Sequence, residues 1–234
     1  MQITYDLAIA KIAVQIQLTE RNNLQNFNNL FIHFGAFHIQ MAYFKAIGKY
    51  IDNMDRCHFN RSKRIHPFIS LAFSILHFER FVQSEDVQIS ENVKTYLQNF
   101  TKNRSIVPTI DLVELLLIIE KYEEYSDKTL KGEHGKTAQY YMIYINRINH
   151  YLMLTASIRT NDFELFKFIL PKITNLFFVF NQPNYARWLV AYHNKLCKVH
   201  ETHPGLEVEL DRGSFGIKRT DKPFSRIPID LTLE

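Results

Sequence analysis

Apolar residues recur at every third or fourth position along most of the chain, which is the spacing of one face of an α-helix. The recurrence predicts helices that include residues 36–51, 65–81, 90–100, 108–125, 136–158, 162–178 and 183–200. Residue types that commonly start helices stand at Ser90, Asp162 and Pro183. The pattern therefore predicts a mainly α fold with a body of about seven helices.

Two short strands are predicted near the N-terminus. Residues 3–6 are β-branched or aromatic up to Asp6, after which helical spacing runs to Leu18, and residues 30–34 form an apolar run that ends at Gly35. Two strands alone do not make a stable sheet. Beyond residue 204, three of the seven glycines fall between positions 205 and 216, which predicts an irregular or short β tail.

The composition favours long helices and excludes other classes. Of the 234 residues, 46% are apolar and 22% charged, as in a globular protein. The chain has only 7 glycines and 7 prolines, compared with 19 phenylalanines and 12 tyrosines. Because glycine and proline favour turns, this is too few for a many-stranded β-sandwich. No apolar run approaches the roughly 20 residues of a membrane span, and no secretory signal is evident. We therefore expect an intracellular protein without membrane contact, in the nucleus rather than the cytoplasm.

Basic residues cluster in two segments. The formal net charge of +4 permits contact with nucleic acid without requiring it. Residues 60–66 and 218–226 could neutralise backbone phosphates, with Phe224 or Phe215 stacking on a base, although such segments are also typical of a solvated surface. The candidate nucleic-acid contacts are Arg61, Lys63, Arg64, Arg187, Lys218, Arg219, Lys222 and Arg226.

Two carboxylates and one histidine are the candidate catalytic groups. Asp6 stands at the carboxyl end of a predicted strand, where open α/β sheets hold their ligands, and Glu234 is the candidate second carboxylate. Such a pair can hold Mg²⁺ for phosphodiester chemistry, whereas an Asp6 that only caps the following helix is structural. His38 follows Gly35 at a strand-to-helix turn, where it is either displayed for catalysis or packed in the core.

A second group of residues has the chemistry of zinc ligands. Cys197, His200 and His203 lie close together in the sequence, and Cys57 is distant. A structural zinc site needs four ligands, so these residues either bind metal together or lie on a helix surface, and the sequence leaves both open.

Both ends of the chain are abrupt. The strand predicted at residues 3–6 begins almost at Met1, and the helix predicted to start with Asp230 as its cap has barely one turn before the chain stops. We therefore expect either a fragment or shortened gene product that cuts through a fold, or a complete domain with frayed ends.

Several short strings occur in an order that is similar to a large group of animal proteins. They are TYDL at 4–7, GAFH at 35–38, SIRT at 157–160, NYARW at 184–188, HP at 203–204, GSF at 213–215 and FSRIPIDLTLE at 224–234. The ordered set covers essentially the whole chain, and NYARW and PIDLTLE are its most specific parts. That group resembles transposon-encoded or transposon-derived proteins.

The resemblance implies a ribonuclease-H-like core interrupted by an all-α insertion. Asp6 would then be the second catalytic aspartate, on the fourth core strand, and Glu234 the third acid, on the last catalytic helix. Residues 35–38 are similar to the C-x-x-H turn of hAT-type transposases, with Gly35 in place of Cys and His38 as the histidine. The implied segments are a partial core over 1–38, a helical domain over 39–203 and a C-terminal segment that returns to the core over 204–234.

The related sequences also include parts that this chain lacks. The first three core strands, with the first catalytic aspartate, would precede residue 1, and the matching proteins continue past residue 234. The resemblance therefore implies a catalytically inactive protein that binds DNA, a protein partner or a second copy of itself, with Mg²⁺ only if an active site is completed. Two alternatives stay open: a Mg²⁺-dependent transposase or nuclease fragment that needs additional strands, and a helical protein-interaction module without a nucleic-acid role.

Overall fold

The computed structural model describes residues 2–5, 7–20, 29–52, 59–103 and 112–232, and within them the protein is mainly α-helical, as predicted. The helices are α1 (Leu7–Thr19), α2 (Ala36–Asp52), α3 (Phe59–Ser84), α4 (Glu91–Asn103), α5 (Leu112–Lys131), α6 (Lys136–Thr160), α7 (Phe163–Val179), α8 (Pro183–Cys197), α9 (Val199–Thr202) and α10 (Leu206–Asp211). The strands are β1 (Gln2–Tyr5), β2 (Phe31–Phe34), β3 (Gly216–Lys218) and β4 (Arg226–Pro228), and a 3₁₀ turn follows at Ile229–Thr232.

The chain divides into two compact units. The first unit contains Met1–His66 and Arg147–Glu234, and the second contains Pro67–Asn146. Both boundaries fall inside helices, one within α3 and the other within α6. The division implied by the resemblance, at residues 38 and 203, stays a prediction.

The two predicted N-terminal strands are confirmed. They pair in parallel, with Gln2 opposite Phe31 and Tyr5 opposite Phe34. Parallel neighbours need a crossover connection, and α1 forms part of it. All four residues of β2 are buried, as expected for a strand covered on both faces.

Aromatic side chains form much of the core of the first unit. Phe44 on α2 meets the ring of Tyr151 on α6 edge-on, with the centroids 4.2 Å apart. Phe177 on α7 stacks on Tyr185 on α8, with a centroid separation of 5.1 Å. These contacts explain the high phenylalanine and tyrosine content, because helices packed through aromatic faces bury large apolar areas.

The second unit has its own small core. Phe81 on α3 packs against Ile118 and Tyr125 on α5, and Phe78 and Tyr122 pack around them. The ring of Phe81 lies 5.5 Å from the ring of Tyr125. In this core, α3 and α5 therefore meet through aromatic side chains.

Several predicted helix starts are confirmed by their caps. The Asp162 carboxylate accepts a hydrogen bond from the backbone N–H of Leu165 at 2.8 Å, and the Ser90 hydroxyl accepts one from Val93 at 3.3 Å. Pro183 occupies the first turn of α8. The helix predicted to reach residue 200 instead ends at Cys197, with Lys198 between α8 and α9, where no glycine or proline marks a break.

The predicted β character of the tail is confirmed as an antiparallel hairpin. Ile217 on β3 pairs with Ile227 on β4, and Gly216 pairs with Pro228. The helix predicted after Asp230 is wrong in form, because residues 229–232 make a single 3₁₀ turn with Asp230 inside it. None of the helices in the described ranges is long and apolar enough to cross a bilayer.

Candidate functional site

The carboxylate of Asp230 is buried against the first turn of α2. Its Oδ1 accepts a hydrogen bond from the backbone N–H of Phe37, and its Oδ2 accepts one from the N–H of His38, each at 3.1 Å. The same Oδ2 lies 3.0 Å from Nδ1 of His38. Because the first N–H groups of a helix lack partners within it, Asp230 both caps α2 and orients the His38 ring. The expectation that Asp230 caps a helix of its own is therefore wrong.

Gly35 allows this close approach of the carboxylate. A Cβ atom at position 35 would overlap Oδ2 of Asp230 and lie 2.7 Å from its Cγ. Any side chain at this position would therefore displace Asp230 from the end of α2. This contact gives a physical reason for the glycine at position 35.

A cleft of about 370 Å³ opens beside His38. Its other walls come from the first turns of α1 and from the start of α8, and its lining includes Lys11, Pro183, Asn184 and Tyr185. The Tyr185 hydroxyl lies 3.5 Å from the carbonyl oxygen of His38, its hydrogen-bond acceptor. His38 thus contacts Tyr185 of the NYARW string and Asp230 near the end of the chain, which lie 147 and 192 positions away.

The geometry gives His38 and Asp230 different chemical roles. An ionised Asp230 requires His38 to donate from Nδ1, so a neutral ring carries its lone pair on Nε2. A histidine held in this way in a cleft suits proton transfer or metal ligation. Asp230 has both oxygens engaged by N–H donors and is a positioning group rather than a Mg²⁺ ligand.

Asp6 and Glu234, the predicted metal carboxylates, lie outside the described residues, as does Cys57. The elements next to them in sequence do meet, because the 3₁₀ turn that ends at Thr232 contacts both β1 and α2. The shared carboxylate site stays a prediction.

The zinc candidates that the structure describes have other contacts. Sγ of Cys197 lies 3.6 Å from Nε2 of His193, and the ring of His203 packs edge-on against Phe31 with the centroids 5.2 Å apart. His200 lies 3.6 Å from the carboxylate of Glu201. Across the described part of the chain, no three histidine, cysteine or carboxylate side chains come together as a metal site.

Two adjoining clefts in the first unit carry the basic groups. Lys63, Arg159 and Arg226 line one of them, and Arg159, Arg226, Lys218 and Lys222 line the other. We call these five residues the basic surface. Within the described ranges, Asp221 is the one acidic side chain that lines either cleft. Both predicted basic segments therefore contribute to one surface, and Arg159 and Arg226 join its two parts.

The charges of the basic surface differ in their surroundings. Partial burial lowers the pKa of Lys63, and the nearby guanidinium groups of Arg64 and Arg159 lower it further. Lys218 pairs with Asp221 at 2.9 Å. Arg226 donates to the backbone carbonyls of Gly213 and Gly216 at 2.7 and 3.0 Å, so its guanidinium holds the tail together.

Phe224 is the exposed ring of this region. It is 61% exposed in the turn between β3 and β4, with φ at 60°. A positive φ is rare for a bulky residue and carries backbone strain. Phe215 is buried against Phe163 and Phe166, so the expectation that Phe215 could stack on a base is wrong.

The remaining predicted contacts lie elsewhere on the first unit. Arg64, Arg187 and Arg219 are exposed on α3, on α8 and between β3 and β4, and none of them lines the two basic clefts. The side chain of Arg61 lies outside the described part. Runs of basic residues in the sequence do not indicate Arg159, because its immediate neighbours are uncharged. Its one signal in the sequence is that it belongs to the SIRT string.

Comparison with known proteins gives one match. The family model of a domain of unknown function, DUF8702, matches residues 51–234. No curated protein and no solved structure matches the chain. The matched region includes all five residues of the basic surface and Asp230, and it begins after His38.

Proposed function

We propose that this chain, which belongs to the family of the domain of unknown function DUF8702, is a transposase-derived protein that acts by binding nucleic acid. The observation that carries the proposal is the convergence of the two basic segments. Lys63 and the residues from 218 to 226 lie far apart in the sequence, yet they line adjoining clefts on either side of Arg159.

The balance of charge on this surface favours a polyanion. Among the residues that the structure describes, five cationic side chains and one carboxylate line the two clefts. A phosphate backbone that enters such a surface releases its condensed counterions, which provides affinity without sequence readout. Burial, and after it the guanidinium groups of Arg64 and Arg159, lowers the pKa of Lys63, and a bound phosphate offsets the repulsion between these cations.

Phe224 adds a contact suited to a base. It lies beside Lys222 in the same cleft, and its ring is exposed. Base stacking on an aromatic ring tolerates any sequence, because every base has a π-face. Cations next to an exposed ring are typical of surfaces that bind single strands.

The strings that resemble transposon-derived proteins support the proposed origin. GAFH, NYARW and the PIDLTLE region meet at His38, and SIRT meets residues 226–228 in the basic cleft that contains Lys63. Strings that are far apart in the sequence thus come together at two sites of the first unit, His38 and the basic surface.

Salt-dependent binding tests the proposal. Fluorescence anisotropy with labelled single-stranded and duplex DNA is measured between about 50 and 200 mM salt. We expect binding at low salt and a steep loss as salt rises. A protein that binds neither form at low salt contradicts the proposal and favours the protein-interaction module.

Catalysis is tested on the same preparation. We expect no DNA cleavage or strand transfer in Mg²⁺. Turnover that disappears in Asp6→Ala contradicts a function by binding alone and favours the transposase or nuclease fragment, because loss in this variant identifies a carboxylate-dependent metal reaction.

A further inference from the structure

The second unit contains a cleft of about 460 Å³ that has no part in the proposed nucleic-acid binding. It lies between α3, α5 and α6, and its apolar walls include Phe73, Leu76, Met142 and Ile145. Its volume falls within the range of about 300–1,000 Å³ that small-molecule sites occupy. Sites of this kind combine apolar walls with a few convergent polar groups.

Two histidine side chains and one backbone carbonyl converge on Thr129, which is buried on α5. Its hydroxyl donates to the backbone carbonyl of Tyr125 at 2.9 Å. Nε2 of His77 lies 3.0 Å from the same oxygen, and Nδ1 of His134 lies 2.8 Å from it. Both histidines line the cleft.

These contacts determine the tautomers of both rings. A hydroxyl has one proton, and Thr129 gives it to the Tyr125 carbonyl, so both histidine nitrogens must donate to its oxygen. His77 then accepts at Nδ1 from the Tyr122 hydroxyl, 3.0 Å away. Burial, and secondarily His134, lowers the pKa of His77, which keeps its ring neutral at pH 7.

His134 consequently presents an acceptor. With Nδ1 donating to Thr129, a neutral ring carries its lone pair on Nε2. Nε2 makes no hydrogen bond to any residue that the structure describes. The ring is fixed in orientation, because it also stacks on Tyr125 with the centroids 4.2 Å apart and the planes 27° apart.

The walls of the cleft favour a flat occupant. The Tyr125–His134 stack contributes one aromatic surface, and Phe73 with Tyr141, whose centroids are 4.4 Å apart, contributes another. Aromatic rings pack best on other rings through offset stacking or edge contacts.

We propose that this cleft binds a small planar heteroaromatic compound that donates a ring N–H to Nε2 of His134. The apolar and aromatic walls hold the ring, and the Thr129 network holds the acceptor in place. The site is separate from the His38 cleft and the basic surface, and it lies wholly within the second unit.

Indole is the probe, because it is planar and carries one ring N–H. Binding of indole and of benzofuran, which has the same shape without the donor, is followed by ¹H–¹⁵N correlation spectra of the full chain. We expect indole to shift the resonances of Thr129 and Met142 and to bind at least fivefold more tightly than benzofuran. Equal affinity for the two probes, or shifts confined to other residues, overturns the proposal.

Two variants locate the site. Ala138→Phe places a ring in the cleft and is expected to weaken indole binding at least tenfold, whereas Asn149→Phe, an exposed position on the same helix, leaves it unchanged. His134→Phe keeps a stacking ring but lacks Nε2, so indole and benzofuran should then bind equally. Circular dichroism melting curves show whether each variant is folded. A folded Ala138→Phe protein that keeps the wild-type affinity for indole, or a folded His134→Phe protein that keeps the wild-type preference for indole over benzofuran, contradicts the proposal.

Discussion

The sharpest test of nucleic-acid binding is the replacement of Arg159 by Gln. Arg159 lines both basic clefts and is exposed at the C-terminal end of α6. It makes no ion pair with a carboxylate among the described residues. Glutamine keeps a polar side chain of similar length and removes the charge, so the variant isolates the electrostatic contribution.

The size of the effect follows from the charges on the surface. A phosphate backbone that contacts Lys63, Arg159 and Lys222 meets three of the five cations, whereas Arg226 donates to backbone carbonyls and Lys218 pairs with Asp221. Three contacts give a slope of log affinity against log salt of about −2.7 for duplex DNA and about −2.1 for single strands. The loss of one contact reduces the slope by about 0.9 or 0.7. Between 50 and 200 mM salt, duplex affinity should fall about 40-fold in the wild type and about 12-fold in the variant.

Fluorescence anisotropy at four or more salt concentrations measures these slopes. Arg187→Gln is the matched control, because Arg187 is equally exposed in the first unit but lies outside both basic clefts. Its slope should equal that of the wild type. If Arg159→Gln and Arg187→Gln change the slope equally, net charge and not this surface accounts for binding, and the reasoning is refuted.

Three further predictions concern Phe224, Gly35 and His33. Phe224→Ala should weaken single-strand binding by about 1–3 kcal/mol and leave the salt slope unchanged, as measured in the same titrations. Gly35→Ala should lower the free energy of unfolding in urea by about 1–3 kcal/mol, because its Cβ overlaps Asp230, and an unchanged midpoint contradicts that contact. Burial, and secondarily Lys195, lowers the pKa of His33 to about 3, and its Nδ1 lies 2.9 Å from the Tyr192 hydroxyl. Since the unfolded chain takes up this proton below pH 6.5, stability falls with acidification by about 2 kcal/mol at pH 5, and His33→Gln should remove that share of the loss.

Helices and helix starts in this fold are predictable where contacts between residues close in the sequence produce them. Asp162 caps α7 through a residue three positions away, and the spacing of apolar residues gives the helices their buried faces. The end of α8 at Cys197 has no such marker, because no glycine, proline or change of polarity distinguishes Lys198. The sequence therefore indicates a longer helix than the chain forms.

The candidate site is less predictable because long-range contacts build it. His38 could be proposed from its position after a strand, but its partner Asp230 lies 192 positions away and was expected to cap a different helix. Arg159 joins the basic surface through its place at the end of α6, which no pattern of neighbouring charges indicates. Pairing of this kind needs knowledge of the tertiary fold.

Residues 226–230 connect the two candidate sites, the His38 cleft and the basic surface. Arg226 holds the hairpin and lines the basic surface, and Asp230, four residues later, caps α2 and orients His38. A second link between the two sites runs through α2. Phe37 lines the basic cleft that contains Lys63, and it directly precedes His38. The positions of Asp230 and Arg226 each require a glycine. A Cβ at Gly35 would overlap Asp230, and one at Gly213 would overlap Asn161 and Arg226. A change that moves residues 226–230 therefore disturbs the His38 cleft and the basic surface together, because Arg226 and Asp230 lie four positions apart on one segment.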